Sequence, residues 1–390
     1  MKSVLLDEVA SFVRGVTFKP EETVFDYTSN AVACFRTKNV QSDLDQRDLI
    51  FLPEQCIRRE DQFIQPGDML MSSANSWNLV GKLCWIPPLT YRATAGGFIS
   101  ILRPKNDKIF PRYLYNWVVY PKTQDRLRNC GRQTTNISNL NFRQALNLDL
   151  PLPPLEEQKR IADILDKADA IRRKRQEALR LTDEFLRSVF LEIFGDPVTN
   201  PKGWPLFPLK SLGRISTGST PPSSKKDMFG GSIPFITPGE LKGEWVETVR
   251  FVTEEGAQEA RTIRAGATLV CCIGATIGKM GKSKTHSAFN QQINAVEWNE
   301  QVVDNYGLEC LKFFKSLIAQ KGASTTLPIL NKSSFQILEI PLAPIELQER
   351  FTRIVKNCEA NKAHSQKSLE ESRNLFASLQ QRAFSGELFQ

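Results

Sequence analysis

An internal duplication constrains the fold of this chain more than any other feature. Residues 139–160 align with residues 329–350 without a gap, at a constant shift of 190 positions. Further upstream, Gly81-Lys82 matches Gly278-Lys279. At roughly 100–200 residues per domain, a chain of 390 residues has room for two or three globular units. The sequence therefore predicts a pseudo-two-fold repeat in which each half is a globular unit followed by a helix.

Two long runs of the chain contain neither glycine nor proline and have helical periodicity. In residues 156–194, the positions of a coiled-coil seam recur at alternating spacings of three and four, with several apolar residues among them. Residues 346–385 have a similar seam that is apolar at both ends and polar in the middle. A proline-containing motif, which cannot itself be helical, precedes each run. Because each helix has an apolar stripe that needs a partner, we expect the two helices to pack on each other.

The remaining segments carry short apolar stretches separated by glycine and proline, which is typical of strands. The predicted strands include 68–71, 97–102, 268–273 and 292–296, and the predicted shorter helices are 113–120 and 306–319. We therefore predict an α+β protein with a pseudo-two-fold internal repeat. Its mixed α/β units lie at residues 1–153 and 197–343, and its long helices lie at 154–196 and 344–390.

Composition and charge limit the classes of function that this protein can have. The net charge of +8 favours a polyanionic partner, although weakly. The eight cysteines form no Cys-x-x-Cys pair and there are only two histidines, so we expect no metal site, no disulfide framework and reduced, buried thiols. No window approaches the ~18 apolar residues of a membrane span, and the first residues contain no signal-peptide core. We therefore expect a cytoplasmic protein that does not insert into a membrane.

One segment, 274–283, is similar to a nucleotide-binding loop without matching it. The phosphate-binding pattern requires a glycine five residues before its Gly-Lys-Ser, and here that position is Thr276. The other register places Met280 where a magnesium-binding hydroxyl is needed. The sequence contains no methyltransferase, dinucleotide-binding or Gly-x-Ser-x-Gly motif, so we predict no catalytic residues. A nucleotide-dependent enzyme that uses the loop from Gly274 to Ser283 remains an alternative.

Four segments together are specific to one family. They are residues 150–162, 193–204, 233–240 and 384–388. On these segments the whole chain resembles the specificity subunit of a type I restriction-modification system. The resemblance implies a DNA-binding protein that is not catalytic alone. In that family each globular unit is a target recognition domain that reads one half of a split DNA sequence, and the two helices pair as an antiparallel coiled coil.

The resemblance also implies partners. Methylation subunits, which we expect to number two, dock on this subunit, and restriction subunits join the complex. S-adenosylmethionine, ATP and Mg belong to those partners, and this chain holds no cofactor. A helix of about 35 residues at ~1.5 Å per residue spans roughly 15 base pairs, which suits a target with a fixed gap. Because the halves differ outside the repeated positions, we expect an asymmetric bipartite site on double-stranded DNA. A coiled-coil scaffold that binds protein is the other alternative.

Candidate DNA contacts are cationic and polar side chains of the kinds that bind phosphates and base edges. In the first half they are Arg14, Lys19, Asn75, Asn78, Lys82, Arg126, Arg128, Arg132, Gln133, Thr134, Thr135 and Asn136. In the second half they are Thr217, Ser219, Thr220, Lys225, Lys226, Lys279, Lys282, Lys284, Asn290, Gln291, Ser324, Thr325 and Thr326. A solvated loop is the alternative interpretation for each. The residues expected to dock partners are Leu155, Glu156, Gln158, Ile161, Ile345, Gln348 and Phe351.

Overall fold

The structure is a computed structural model. It describes residues 2–24, 30–133, 137–222, 224–225, 227–242, 244–322 and 329–389. The chain divides into two compact units. The first unit comprises Met1–Arg175 and Ser368–Gln390, and the second comprises Gln176–Lys367. Within the described ranges, no helix has the length and apolar character that a membrane span requires.

The first unit is built from short strands and short helices around the ends of the two long helices. Its strands are β1 (Ser3–Leu5), β2 (Ala10–Arg14), β3 (Ala31–Phe35), β4 (Ile50–Pro53), β5 (Met69–Ser72), β6 (Ala74–Asn75), β7 (Leu83–Trp85), β8 (Ala93–Ala95), β9 (Ile99–Pro104), β10 (Gly131–Gln133), β11 (Ser138–Leu140) and β12 (Asp149–Pro151). Its helices are α1 (Pro111–Val119), α2 (Pro121–Asn129), α3 (Phe142–Leu146) and the first part of α4 (Leu155–Phe194). The sheets have the orders β2-β9-β5-β7, β4-β3-β8, β10-β11-β6 and β1-β12.

The second unit has the same kind of construction. Its strands are β13 (Leu206–Pro208), β14 (Gly213–Thr217), β15 (Phe229–Ile236), β16 (Trp245–Val246), β17 (Phe251–Val252), β18 (Thr262–Ile263), β19 (Thr268–Cys271), β20 (Met280–Ser283), β21 (Ser287–Phe289), β22 (Ile293–Trp298) and β23 (Glu339–Pro341). Its helices are α5 (Leu209–Leu212), α6 (Glu254–Glu259), α7 (Asp304–Phe313), α8 (Lys315–Gly322), α9 (Lys332–Gln336) and the first part of α10 (Ile345–Ser385). The sheets have the orders β14-β22-β19-β20-β16, β17-β15-β21-β18 and β13-β23.

The two units repeat one framework, as the duplication predicts. The order β2-β9-β5-β7 corresponds to β14-β22-β19-β20, and the pair β1-β12 corresponds to β13-β23. Single hydrogen bonds are repeated as well: the Tyr113 hydroxyl donates to the carbonyl of Pro151 at 2.8 Å, and the Tyr306 hydroxyl donates to that of Pro341 at 2.6 Å. Both units mix parallel and antiparallel strand pairs, for example β3 with β8 and β3 with β4. The predicted α+β class and the internal repeat are confirmed.

The long helices α4 and α10 pack antiparallel within each unit. In the first unit, the guanidinium carbon of Arg172 lies 5.8 Å from the ring centre of Phe376. In the second unit, the ammonium group of Lys362 forms an ion pair with Asp183. A second contact in each unit gives the direction: Arg175 donates to the hydroxyl of Ser372 in the first unit, and the rings of Phe190 and Phe351 lie 5.4 Å apart in the second. In both units higher residue numbers on α10 thus face lower numbers on α4, which is the order of an antiparallel pair. The absence of glycine and proline allows each helix to continue for 40 and 41 residues respectively.

The ends of the long helices belong to the hydrophobic cores of the units. The core of the first unit includes Ile161 and Leu165 of α4, Ala383 of α10, and Tyr113, Leu114 and Leu150. The core of the second unit includes Leu186, Phe190 and Phe194 of α4, Phe351 and Val355 of α10, and Tyr306. Each long helix is therefore a part of two cores rather than a separate layer. This burial stabilises the helix at both of its ends.

Candidate nucleic-acid interface

A small sheet in the first unit brings together candidate DNA contacts that are far apart in sequence. Asn75 ends β6, and it pairs with Ser138 on β11. The next strand is β10, whose Arg132 and Gln133 pair with residues of β11. The Asn75 side chain donates to the hydroxyl of Ser72 at 3.1 Å. Thr134, Thr135 and Asn136 lie outside the described residues. The backbone thus places the strand of Asn75 two positions from that of Arg132 in one sheet.

The guanidinium groups of Arg126 and Arg128, on α2, already interact with other residues of the first unit. Arg128 forms an ion pair with Asp125, and its guanidinium carbon lies 5.7 Å from the ring centre of Trp77. Arg126 donates to the carbonyl of Asp149 at 3.3 Å. Trp77 is 44% exposed, follows β6 and was not among the predicted contacts. The signal that could have identified it is its position between two candidate residues, in Asn75-Ser-Trp-Asn78.

Four further candidates of the first unit lie in other environments. Asn78 is exposed in the loop that follows β6, and Lys19 is exposed in a turn. Arg14 ends β2, where its guanidinium carbon lies 5.5 Å from the ring centre of Phe142. The ammonium group of Lys82 donates to a glutamine side-chain oxygen at 2.6 Å. All four remain predicted DNA contacts, because each is exposed or partly exposed.

In the second unit, polar side chains at the end of β14 and before β22 lie in one region, where Thr220 and Gln291 are hydrogen-bonded to each other. The predicted residues that meet here are Thr217, Ser219, Thr220, Asn290 and Gln291. Thr217 donates through Oγ1 to Oδ1 of Asn294 at 2.7 Å, and Thr220 donates to Oε1 of Gln291 at 2.7 Å. Gln291 is exposed, so its amide nitrogen can still donate. Amides and hydroxyls in this arrangement offer the donors and acceptors that read base edges.

Two of the predicted lysines of the second unit, Lys225 and Lys284, lie at the surface. Lys225 pairs with Glu259 at 2.6 Å, and Lys284 pairs with Glu247 at 2.9 Å. Exposed pairs of this kind contribute only about 0–1 kcal/mol, so both ammonium groups can exchange a carboxylate for a phosphate. Lys279 is half-buried in the turn before β20. Lys226, Ser324, Thr325 and Thr326 lie outside the described residues.

Lys282 does not have the surface position that a DNA contact requires. Its side chain is 2% exposed, and its ammonium group donates to Oδ1 of Asn305. The same group lies 3.5 Å from Oε1 of Glu359 and 4.2 Å from the ring centre of Trp245. Burial raises the pKa of Glu359, and the neighbouring charge of Lys282 opposes that shift. A buried ammonium group is retained only with such partners, so Lys282 is part of the interior of the second unit, and its burial contradicts the prediction that it contacts DNA.

Four of the predicted partner-docking residues are fully buried in their own unit. They are Gln158, Ile161, Gln348 and Phe351. Gln158 accepts the N–H of Phe110 at 2.8 Å and donates to the carbonyls of Lys108 and Pro153, both at 2.9 Å. Gln348 makes the equivalent three hydrogen bonds in the second unit. Burial contradicts a docking role for these four residues. Leu155 and Glu156 are exposed and Ile345 is half-buried, so their docking role stays a prediction.

The segment 274–283 does not form a phosphate-binding loop. Gly274 and Gly278 have φ values of 88° and 82°, and the turn they make continues into β20. A phosphate-binding loop requires a helix N-terminus at this point. The hydroxyl of Ser283 is already used, because it donates to the carbonyl of Thr285 at 2.6 Å. The structure therefore gives no support to the nucleotide-dependent alternative.

A cavity in the first unit was not predicted from the sequence. Its volume is about 530 Å³, and it is lined by residues within 16–20, 36–38 and 96–99. Phe98, on its wall, is 64% exposed. The one local signal for it is the dipeptide Gly96-Gly97, which marks a tight turn before a strand.

Comparison with known proteins shows which family this chain matches. The family model described as "Type I restriction modification DNA specificity domain" matches residues 2–181 and again residues 201–371. The putative type I restriction enzyme MjaX specificity subunit of Methanocaldococcus jannaschii is 23% identical over 305 residues, which are 74% of this chain and 71% of that protein. The EcoKI specificity subunit of Escherichia coli is 29% identical over 160 residues, which are 40% of this chain and 34% of that protein.

Solved structures agree at the level of the fold. The crystal structure of the type I restriction-modification system S subunit from M. genitalium has a TM-score of 0.61 at 13% identity, covering 98% of this chain and 96% of that one. A chain from a study of complex assembly and conformational transition of the type I system has a TM-score of 0.56 at 18% identity, covering 99% and 98%. Since the family model matches both halves, this chain belongs to the type I restriction-modification DNA specificity family and carries two copies of its domain.

Proposed function

We propose that this chain is the DNA sequence-specificity subunit of a type I restriction-modification complex and acts in the cytoplasm without catalytic activity of its own. Each unit reads one half of a bipartite site on double-stranded DNA. The observation that carries the proposal is the duplication of the DNA specificity domain on one repeated framework. Two copies of a reading unit joined by long helices suit a target with two parts.

The two half-sites are unlike, so the site is asymmetric. Equivalent turns in the two units carry different chemistry, Gly96-Gly97-Phe98 in the first and Asn290-Gln291-Gln292 in the second. Their equivalence is supported by the same hydrogen bond in each turn, from Ile99 to the carbonyl of Gly96 at 2.8 Å and from Ile293 to that of Asn290 at 3.2 Å. An amide can read a base edge by paired hydrogen bonds, whereas a phenyl ring makes apolar and stacking contacts.

The helices set the gap between the half-sites and dock the methylation subunits, which number two. The exposed side chains of Leu155 and Glu156 and the half-buried Ile345 support docking at the start of each helix. Restriction subunits complete the assembly. S-adenosylmethionine, ATP and Mg act in the partner subunits. With 40 residues at ~1.5 Å each, α4 extends for about 60 Å, which limits its span on DNA to roughly 18 base pairs.

A map of modified bases tests the proposal. Single-molecule sequencing of the host genome, with and without this gene, is compared while the methylation partner is expressed in both strains. We expect one split motif, with N6-methyladenine on both strands, to be lost with the gene. An unchanged map under these conditions contradicts the proposal. The protein-scaffold alternative predicts binding that is indifferent to DNA and salt, whereas phosphate contacts weaken steeply as salt rises.

A further inference from the structure

The cavity of the first unit begins where two segments of the chain cross closely. A Cβ atom on Gly15 would collide with the carbonyl oxygen of Gly96. Beyond this crossing, residues within 16–20, 36–38 and 96–99 line the cavity of about 530 Å³. This volume falls within the roughly 300–1,000 Å³ that is usual for small-molecule sites. A double helix is far too wide to enter, whereas one nucleotide is small enough.

Aromatic rings give the cavity a surface on which a flat base can stack. Phe18 and Phe98 both line it, and Val16 adds apolar wall. Phe98 is 64% exposed, so most of its ring is available to a ligand. Stacking of bases on aromatic side chains is a general means of holding an unpaired base and tolerates any base type.

Two cations line the same cavity. Arg36 donates through Nη2 to the carbonyl of Asp48 at 3.0 Å, but its Nε atom is buried and has no hydrogen-bond partner among the described residues. Lys38 lies 3.3 Å from Oδ2 of Asp48 in an exposed pair, which is weak. A phosphate bound beside Arg36 and Lys38 would replace the weak Lys38–Asp48 pair with a charge-assisted hydrogen bond. The lining thus combines aromatic surface with charges that complement a phosphate.

The second unit differs at the corresponding positions. Arg36 and Thr237 are equivalent, because each donates its backbone N–H to the side chain three residues further on, Asn39 at 2.8 Å and Glu240 at 2.7 Å. Thr237 is uncharged, so this position carries no cation, and its hydroxyl donates to Glu240. The amides of the Asn290–Gln292 turn are hydrogen-bonded locally. The aromatic and cationic lining is therefore a property of the first unit.

We propose that this cavity binds one nucleobase that has turned out of the stack of the bound DNA, with the adjoining phosphate on Arg36 and Lys38. The inference rests on the proposed function, because that function brings DNA to the first unit. Methylation of a base requires it to leave the helix, which leaves its partner base unpaired, and an unpaired base can stack on an exposed aromatic ring. The first unit would recognise its half-site through a displaced nucleotide as well as through base edges.

Two DNA duplexes that differ by one base test the proposal. Both have the same arbitrary sequence, and one carries a single unpaired thymidine where the other carries an unpaired abasic nucleotide. We expect the full chain to bind the thymidine duplex roughly tenfold more tightly, which is the effect of one base–aromatic stack. Phe98→Ala should abolish this preference. Since Phe98 is largely exposed, the variant keeps the fold. Trp77→Ala removes an exposed aromatic ring of the candidate interface that lies outside the cavity; it can lower the affinity for both duplexes but should retain the preference between them.

The outcomes separate this inference from the proposed function. Equal binding of both duplexes by the wild type, with normal salt-dependent affinity for DNA, overturns the cavity inference and leaves the specificity function standing. A preference that survives Phe98→Ala, or that Trp77→Ala also removes, overturns it too, because the base then stacks elsewhere. Failure to bind any duplex overturns both.

Discussion

The ammonium group of Lys282 lies inside the second unit between Asn305, Glu359 and the ring of Trp245. Of its neighbours in sequence, Lys279 is half-buried and Lys284 is exposed. The difference arises because β20 lies between β19 and β16 in its sheet, so all residues of the strand are buried. A lysine in such a strand is retained only with paired charges and hydrogen bonds around it. At the scale of single residues, burial therefore decides whether a cation contacts DNA or stabilises the fold.

Replacement of Lys282 tests this structural role. We expect Lys282→Met to lower the free energy of unfolding by about 3 kcal/mol, because Glu359 loses its buried counter-charge. Lys279→Met, in the preceding turn, is the matched control and should change it by less than about 0.5 kcal/mol. Urea denaturation of the full chain measures both. A Lys282→Met protein as stable as the wild type would show that the buried charge is not needed.

At the scale of elements, each long helix is held at its start by a glutamine. Both helices follow a proline-rich segment, and the amide of Gln158 reaches back to Pro153 and across to Lys108 and Phe110. Gln348 does the same at the start of α10. A glutamine fits because its one side chain both accepts and donates, so it satisfies backbone groups that the helix and strands leave unpaired.

Removal of either glutamine should loosen the junction between its helix and its unit. We expect Gln158→Ala and Gln348→Ala each to reduce the free energy of unfolding by about 1–3 kcal/mol, because buried backbone groups lose their partners. Glu156→Ala removes an exposed residue of the same turn, paired with Lys159, and should cost less than about 1 kcal/mol. Hydrogen exchange at Phe110 and Val303 measures the loss locally. Unchanged exchange at both amides would contradict this explanation.

At the scale of the whole molecule, each unit has its own core, and each long helix contributes one of its parts to each unit. Reading and spacing can therefore vary independently. Under the proposed function, side chains on the sheets and turns of each unit contact the bases, whereas the number of residues in α4 and α10 sets the length of the connection. This separation predicts that helix length changes the gap but leaves the recognised bases unchanged.

Deletion of residues 176–182 and 363–369 tests this division of roles. Removal of seven residues from each helix shortens it by roughly 10 Å and by almost two whole turns, so the faces stay aligned. The deletion retains two contacts between the helices, the hydrogen bond from Arg175 to Ser372 and the ion pair of Asp183 with Lys362. We expect the gap of the methylated motif to shrink by about three base pairs with both half-sites unchanged. A motif with altered half-site bases would contradict the prediction.

The candidate interface was predictable only in pieces. Residues 217–220 and residues 290–291 were identified from composition as separate loops, and strand pairing between β14 and β22 joined them into one cluster. Similarly, the pairing of β6 with β11 placed Asn75 beside the hairpin of Arg132. The residue types were visible in the sequence, but the register that makes them neighbours depends on non-local strand pairing.

By itself, the sequence determined the repeat, the two long helices, the α+β class and the family resemblance, because periodicity, helix breakers and motifs are local patterns that no distant contact can erase. Only the tertiary structure decided that Lys282, Gln158 and Gln348 are buried, and that a cavity opens beside Phe98. Burial depends on what the rest of the chain packs against a residue. Identical residue types can therefore serve the core at one position and the surface at another.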